Sequence, residues 1–261
     1  MDAKARLGQA LVRVTALLRR LGLLRGPFSR FLYEAAYRKY KLHYEGCEVV
    51  RAARFIREGS TVLDIGANIG VLTELFAKRV GADGRVIAIE PETYNMRRLA
   101  ERLDRCGLKG RIELFEGVAT NYVGQAKLAV SVDHPGDHHI AGSGQFVAAT
   151  TVDAMLEARD LPSVSFIKID VQGAEECVIE GMERCLERDS PLLCVEVDNA
   201  SLQRFGSTAQ SLLDRLRHAG FKPAIVRNSI LQLLPPDKVQ EKVNRRGYCD
   251  ILFAKSGVLR S

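Results

Sequence analysis

The string TVLDIGANIGV at 61–71 combines an apolar run, an acid and a glycine turn that leads into an amphipathic segment. Gly66 permits a tight strand-to-helix turn, and Asp64 places a carboxylate at the end of the strand. A helix that begins after such a turn can bind a pyrophosphate, but a carboxylate at this point repels one, and the spacing differs from G-x-G-x-x-G. We therefore expect a ligand with an amino or sulfonium charge, bound beside Gly66, Asn68 and Gly70.

A second acid, Glu90, closes the next apolar run, RVIAIE at 85–90. An acid at the end of the second strand can accept hydrogen bonds from both hydroxyls of a ribose. An adenosine ligand with a cationic tail satisfies both Asp64 and Glu90, and S-adenosylmethionine is that ligand. The alternative interpretation is a glycine turn in an α/β protein with two incidental acids.

Several strings of this sequence together resemble the FkbM-type methyltransferases. They are VLDIGANIG, IEPE, TTVDAML at 150–156 and, as the most specific one, FIKIDVQGAEECVIEGM at 166–182. The resemblance covers roughly residues 45–235. It implies the class I S-adenosylmethionine-dependent fold, a doubly wound, Rossmann-like α/β arrangement with a seven-stranded sheet whose last strand is antiparallel. It also implies methylation of a hydroxyl oxygen, often on sugars or polyketide-like natural products.

The resemblance assigns roles to residues of the cofactor site. The loop of residues 64–70 corresponds to the methionine side of the cofactor, and Glu90 corresponds to the acid that binds the ribose. The residues expected to bracket the adenine follow the third strand and include Glu116, Val118 and Ala119. Gln172 departs from the family, which usually has Glu in this string, so the acceptor of this chain is expected to differ.

Asp170 is the first candidate for acting on the acceptor. It follows the fourth apolar strand, and ligands of doubly wound folds bind at the carboxyl ends of the strands. A hydroxyl acceptor must lose its proton, so Asp170 is predicted to be the base or to anchor the hydroxyl. Alternatively, it caps the next helix, with Glu175 in the first turn. Glu196 and Asp198, after the fifth strand, either line the same pocket or face solvent.

The string HPGDHH at 134–139 supplies the second candidate base. A histidine titrates near pH ~6.5, and a neighbouring acid raises its basicity. His138 and His139 are therefore predicted to act as base or to contact the acceptor. A solvated loop is the alternative. A metal site through His134 and His138 is disfavoured because Pro-Gly interrupts a helix between them, and we expect no metal.

The elements that must position these residues alternate between strands and helices from residue 61 onward. This alternation predicts a mainly parallel sheet covered on both faces. The stretch 117–150 is expected to form a loop-and-hairpin insertion, and two strands near 222–234 and 248–254 an antiparallel edge. The predicted helices are 69–80, 92–106, 174–187 and 208–219.

The net charge of +6 is concentrated at the N-terminus. Residues 1–41 hold ten basic and two acidic side chains, whereas residues 42–261 hold 28 basic and 30 acidic ones. We predict a basic, amphipathic helical appendage at 1–44 and a methyltransferase domain at 45–261. The leucine stripe of the appendage favours packing on protein or on a second subunit over contact with an anionic membrane. A nucleic-acid partner is a minor hypothesis, because no nucleic-acid module accompanies the basic residues.

Composition narrows the class further. A hydrophobic content of 46% excludes a disordered chain, and the six cysteines lack the C-x-x-C spacing of a metal or redox site. No run approaches the roughly 18 apolar residues of a membrane span. We therefore expect a cytoplasmic S-adenosylmethionine-dependent O-methyltransferase that acts on a saccharide or another natural-product hydroxyl. The alternatives are a nucleotide-dependent oxidoreductase and a non-catalytic module that binds an adenosyl ligand.

Overall fold

The computed structural model describes residues 35–130 and 138–257. Most of the predicted appendage, residues 1–34, lies outside the described residues, as does His134. Residues 35–40 are helical and continue into a π-helical turn over Lys41–Glu45. A short helix, α1 (Cys47–Ala52), and a 3₁₀ turn (Ala53–Phe55) then lead to the sheet.

The rest of the described chain alternates strands and helices as the sequence predicts. The strands are β1 (Thr61–Ile65), β2 (Arg85–Glu90), β3 (Ile112–Ala119), β4 (Gly124–Ala129), β5 (His139–Ile140), β6 (Gln145–Thr150), β7 (Val164–Ile169), β8 (Leu192–Asp198), β9 (Phe221–Arg227), β10 (Ile230–Leu233) and β11 (Tyr248–Lys255). The helices are α2 (Val71–Arg79), α3 (Thr93–Arg105), α4 (Val152–Glu157), α5 (Glu175–Glu180), α6 (Glu183–Asp189), α7 (Asn199–Arg204), α8 (Ala209–His218) and α9 (Pro236–Arg246).

The strands form one sheet in the order β10-β9-β11-β8-β7-β1-β2-β3-β6-β4-β5. Its middle, from β9 to β3, contains seven strands, of which β11 is antiparallel to both of its neighbours, β8 and β9. The doubly wound α/β arrangement is therefore confirmed. The expected seven-stranded sheet is corrected to an 11-stranded one, because β10 extends one edge and β6, β4 and β5 extend the other.

The differences from the predicted elements have local causes. Within the stretch 117–150, the described strands join the sheet because β3 continues to Ala119 and pairs with β6, which in turn pairs with β4. Helix α9 separates the last strands, and β11 lies within the sheet rather than at its edge. The helix expected over 174–187 is divided into α5 and α6 at Gly181, where a β-carbon would lie 2.0 Å from the carbonyl oxygen of Thr120.

The central strands β1, β2 and β7 are buried along almost their whole length, which explains their continuous apolar runs. One core cluster joins one face of the sheet to helices α4 to α9. A second cluster joins the opposite face to α1 and α2, and α3 packs beside them over Ala88. This double covering leaves the carboxyl ends of the central strands as the place for a site.

Two further findings concern the hydrophobicity of the helices and the state of the cysteines. No helix within residues 35–130 and 138–257 is long and apolar enough to cross a membrane. All six cysteines are free thiols, and Cys185, Cys194 and Cys249 are buried. A cytoplasmic location stays a prediction.

Candidate functional site

The glycine loop, residues 66–70 between β1 and α2, turns sharply because three of its residues are left-handed. The angle φ is +81° at Gly66, +51° at Asn68 and +78° at Gly70. Every backbone N–H group of the loop donates to a protein acceptor, namely the carbonyl of Ile89 (twice), Glu90, the side chain of Asn68 and the carbonyl of Ala67. Because these donors are committed, the loop does not offer the row of N–H groups that binds a pyrophosphate.

The two glycines of this loop are also required by packing. A β-carbon on Gly66 would lie 1.8 Å from the backbone oxygen of Asp170, and one on Gly70 would lie 2.9 Å from Cγ of Leu99. The loop after β7 therefore packs directly against Gly66, and binding of a ligand beside Gly66 stays a prediction. Gly70 likewise lets α3 approach the start of α2.

Asp64 is fully buried in β1, between Ala88 of β2 and Lys168 of β7. Its Oδ2 accepts a hydrogen bond of 2.5 Å from Oγ1 of Thr73, while Oδ1 has no hydrogen-bond partner among the described residues. Burial raises the pKa of Asp64, although Lys168 and Thr73 act in the opposite direction. A buried acceptor atom without a partner, next to the glycine loop, fits the cationic end of S-adenosylmethionine.

Glu90 ends β2 and is 4% exposed. Its Oε2 accepts from the backbone N of Asn68 at 2.8 Å, and its Oε1 accepts from the N of Glu92 at 3.1 Å and from Nδ2 of Asn95 at 3.2 Å. Burial raises the pKa of Glu90 to about 7, although these hydrogen bonds favour the ionised form. The carboxyl group is thus held rigidly beside the glycine loop, where the remaining lone pairs fit the hydroxyls of a ribose.

The residues predicted to bracket the adenine lie in different environments along β3. Glu116 is level with Glu90 in the neighbouring strand, is exposed, and accepts a hydrogen bond of 2.7 Å from Oγ1 of Thr93. Val118 and Ala119 are buried because β3 continues beyond that level to pair with β6. Contact with adenine stays a prediction for all three.

Asp170 lies just after β7, in a group of charged side chains. Its Oδ2 accepts from Nζ of Lys168 at 2.9 Å, and Nζ of Lys41 lies 3.7 Å from the same oxygen. Although burial alone would raise it, these two lysines hold the pKa of Asp170 well below its usual range. Lys168 also donates to the carbonyl oxygen of Gly66 at 3.1 Å. The structure therefore provides an ionised carboxylate beside the glycine loop, at the carboxyl edge of the sheet.

The alternative role of Asp170 as a helix cap is not observed. The N-cap residue of α5 is Ala174. Glu175 orders the loop instead, because its Oε1 accepts from the backbone N–H groups of Val171 at 3.1 Å and Gly173 at 3.2 Å. Burial raises the pKa of Glu175 to about 7.

Glu196 and Asp198, the two acids near the end of β8, make different contacts. Glu196 joins the group around Asp170, because Nε2 of Gln172 donates to Oε2 of Glu196 at 2.9 Å and to Oδ1 of Asp170 at 3.0 Å. Burial, and then the charge of Asp170, raise the pKa of Glu196 well above its usual range. Asp198 caps α7 instead, accepting from the backbone N of Ala200 at 3.0 Å.

The structure does not bring the predicted histidines beside Asp170. His138 directly precedes β5 and His139 lies in it, and β5 is the edge strand of the sheet. Five strands separate β5 from β7. With neighbouring strands about 4.8 Å apart, the two strands lie about 29 Å apart across the sheet. A catalytic role for either histidine stays a prediction that the strand order does not support.

Lys41 is a site residue that the sequence did not single out. It lies in the π-helical turn before α1, and its side chain is 14% exposed. The signal available was a basic and aromatic stretch at 37–44, and such a stretch is more often a helix end whose aromatic side chains pack while its charges reach solvent. Its contact with Asp170 depends on the packing of the N-terminal segment against the sheet.

Residues 64–223 match the family of the methyltransferase FkbM domain. The chain is 35% identical over 79 residues to the ribosomal protein L11 methyltransferase of Pelotomaculum thermopropionicum, which covers 30% of this chain and 25% of the relative. It is 26% identical over 234 residues to the AMB antimetabolite synthetase AmbE of Pseudomonas aeruginosa, which covers 74% of this chain and 11% of the relative. The chain thus spans a quarter or less of the length of these curated relatives.

Solved structures with a similar arrangement have low sequence identity to this chain. The methyltransferase FkbM of Methylobacillus flagellatus superposes with a TM-score of 0.49 at 18% identity, over 83% of this chain and 50% of that one. A SAM-dependent methyltransferase of Aquifex aeolicus superposes with a TM-score of 0.45 at 16% identity, over 82% of this chain and 91% of that one.

Proposed function

We propose that this chain, which belongs to the methyltransferase FkbM domain family, is an S-adenosylmethionine-dependent methyltransferase that methylates a hydroxyl group of a saccharide or another natural product. The observation that carries the proposal is the ionised carboxylate of Asp170, paired with Glu196 beside the glycine loop. A hydroxyl acceptor requires a group that orients it and takes its proton, and a carboxyl pair supplies both.

The residues around the glycine loop fit the cofactor. S-adenosylmethionine supplies an electrophilic methyl group when it is bound. Asp64, with its unpartnered Oδ1, would hold the cationic end, and Glu90 would accept hydrogen bonds from the ribose hydroxyls. The committed N–H groups of residues 66–70 disfavour the alternative of a nucleotide-dependent oxidoreductase, since a pyrophosphate would find few donors there.

Asp170 would accept a hydrogen bond from the acceptor hydroxyl and orient its oxygen toward the methyl group. Because Lys168 and Lys41 lower its pKa, Asp170 is a weak base that receives the proton only as the new C–O bond forms. Alignment of the acceptor then supplies most of the acceleration, and a base adds about 10²–10⁴-fold.

A natural-product acceptor is supported by the match to the AMB antimetabolite synthetase, which aligns with 74% of this chain. The shorter match to the ribosomal protein L11 methyltransferase leaves methylation of a protein as the second candidate. Packing of residues 1–44 on a second subunit or on a membrane surface remains an expectation from the sequence.

The test is a screen of the purified chain with methyl-labelled S-adenosylmethionine against saccharides, hydroxylated polyketide-like compounds and ribosomal protein. We expect label on a hydroxyl oxygen of at least one small acceptor, and loss of about 10²-fold or more of this transfer in Asp170→Asn. Label found only on protein would replace the proposed acceptor with the second candidate. Cofactor binding without transfer to any class would indicate the non-catalytic alternative.

A further inference from the structure

Gln172 connects the two carboxyl groups of the acceptor end of the site. Its single amide nitrogen lies 3.0 Å from Oδ1 of Asp170 and 2.9 Å from Oε2 of Glu196. A primary amide nitrogen has two hydrogens, so it satisfies both acids at once. The opposite orientation of the amide would direct its oxygen at two carboxyl oxygens, and only the observed one provides donors.

The backbone holds Gln172 in the position that this bridge needs. Its φ of +58° is left-handed, which is uncommon for a residue with a side chain, and Gly173 follows at +113°. A β-carbon on Gly173 would lie 2.3 Å from the carbonyl oxygen of Ser201, so this turn packs tightly on α7. Glu175 secures the turn from inside through the N–H groups of Val171 and Gly173.

The charges that surround the bridge make the two acids unequal. Lys168 from β7 and Lys41 from the N-terminal turn both face Asp170, whereas Glu196 is opposite Asp250 in the register of β8 and β11. Lys41 also acts on Glu196, but less strongly than Asp170 and Asp250 do. Asp64 from β1 and Glu175 from α5 complete the charged groups around them. The cations therefore stabilise negative charge on Asp170, and the neighbouring acids disfavour it on Glu196.

We propose that Gln172 is a positioning residue that joins Asp170 and Glu196 into one unit with a single proton, in which Asp170 is ionised and Glu196 is neutral. The unit can then take the proton of an acceptor hydroxyl on Asp170 while its partner remains protonated. This use of the unit rests on the proposed function, but its existence does not.

The experiment is a titration of side-chain carboxyl resonances by ¹³C NMR, without cofactor or acceptor. The resonance that disappears in Glu196→Gln identifies Glu196, and in the wild type it should titrate well above the usual range of a glutamate. In Gln172→Leu the amide donors are lost, so the midpoint of Glu196 should rise by about one further pH unit. In Gln172→Glu a third carboxyl group enters, and one additional resonance should titrate above the usual range.

A matched control is Gln210→Leu, which removes an exposed hydrogen bond of 3.1 Å from a glutamine to Asp214. It should leave the titration of Glu196 unchanged. The proposal fails if Glu196 titrates as an ordinary glutamate, or if Gln172→Leu does not shift it. If Gln172→Leu does not fold, Gln172→Glu, whose side chain has the same shape, is the test. An additional resonance that titrates above the usual range supports the proposal, and its absence contradicts it. Failure of the acceptor screen would overturn the proposed function and leave this result standing.

Discussion

The Cα of Gly66 faces the backbone carbonyl of Asp170 so closely that a β-carbon would lie 1.8 Å from its oxygen. Next to this contact, the N–H of Asp170 donates to the carbonyl of Ile65 at 3.0 Å, and the side chain of Lys168 in β7 donates to the carbonyl of Gly66. Direct backbone contacts thus hold the turn that we propose binds the cofactor against Asp170, the residue that we propose acts on the acceptor. A displacement of either one should disturb the other.

Gly66→Ala should destabilise the protein by more than about 3 kcal/mol, because it combines a left-handed backbone with a clash against backbone atoms that cannot move aside. Urea unfolding followed by circular dichroism measures the loss. Gly59→Ala is the matched control, since Gly59 has φ of +75° but open space around a β-carbon. It should lose only about 1 kcal/mol from backbone strain. Equal losses in the two variants would contradict the packing explanation.

Glu90 should make the affinity for S-adenosylhomocysteine depend on pH. Its pKa of about 7 means that the carboxylate, which we propose accepts from the ribose hydroxyls, becomes the major form only above neutral pH. Calorimetry should show binding to the wild type strengthening about tenfold from pH ~6 to pH ~8. Glu90→Gln should bind more weakly at the upper pH and show a flat profile. A wild-type affinity that falls over this range would refute the assignment.

The same raised pKa predicts a change in stability. The folded state holds the proton of Glu90 more tightly than the unfolded state, so its contribution to stability declines as the pH rises from about 4.5 to about 7. Glu90→Gln cannot ionise and should lack this part of the decline. Unfolding free energies of the two proteins, measured across that range, should therefore diverge in favour of the variant. Parallel curves would be inconsistent with a buried, ionisable Glu90.

Lys168→Met should be destabilising by about 3 kcal/mol, because it leaves Asp170 and Asp64 in a buried site without their main cation. The side chain of Lys168 is 3% exposed. Lys238→Met is the control, since it removes an ion pair to Glu241 of similar length, 2.7 Å, between two exposed side chains. The control should leave the unfolding free energy unchanged. If the two substitutions changed the unfolding free energy by similar amounts, the buried ion pair of Lys168 would contribute no more to stability than an exposed one.

Lys41→Met should destabilise the protein in a pH-dependent way. Lys41 helps to lower the pKa of Asp170, and a lowered acid pKa contributes stability that is present above the unfolded pKa and lost as the pH falls through the folded one. The difference between Lys41→Met and wild type should thus be largest near neutral pH and shrink in acid. Lys39→Met, at an exposed neighbouring position, should match the wild type at every pH. A pH-independent loss would indicate a packing role only.

Local strings of the sequence were sufficient to predict the family, the cofactor and the central sheet. The apolar runs that become β1, β2 and β7 are readable because strands buried on both faces need continuous apolar residues. The places of Asp64 and Glu90 follow from the same runs, since each acid lies at or near the carboxyl end of its own strand. The edges of the sheet could not be predicted from the sequence. Whether the strands within 117–150 join the sheet depends on β3 pairing with a strand some 30 residues later.

The acceptor end of the site was decided by tertiary structure. Histidines at 138 and 139 suggested a base by their chemistry, but the strand order carries them to the far edge of the sheet. Lys41 and Glu196 are far apart in the sequence, and both lie near Asp170. Lys41 of the N-terminal turn forms an ion pair with Asp170, and Glu196 lies in β8, the strand next to β7. Residue types and local spacing limit what each side chain can do. Which side chains meet is decided by the order of strands in the sheet, since contacts between distant segments exist only once the chain has folded.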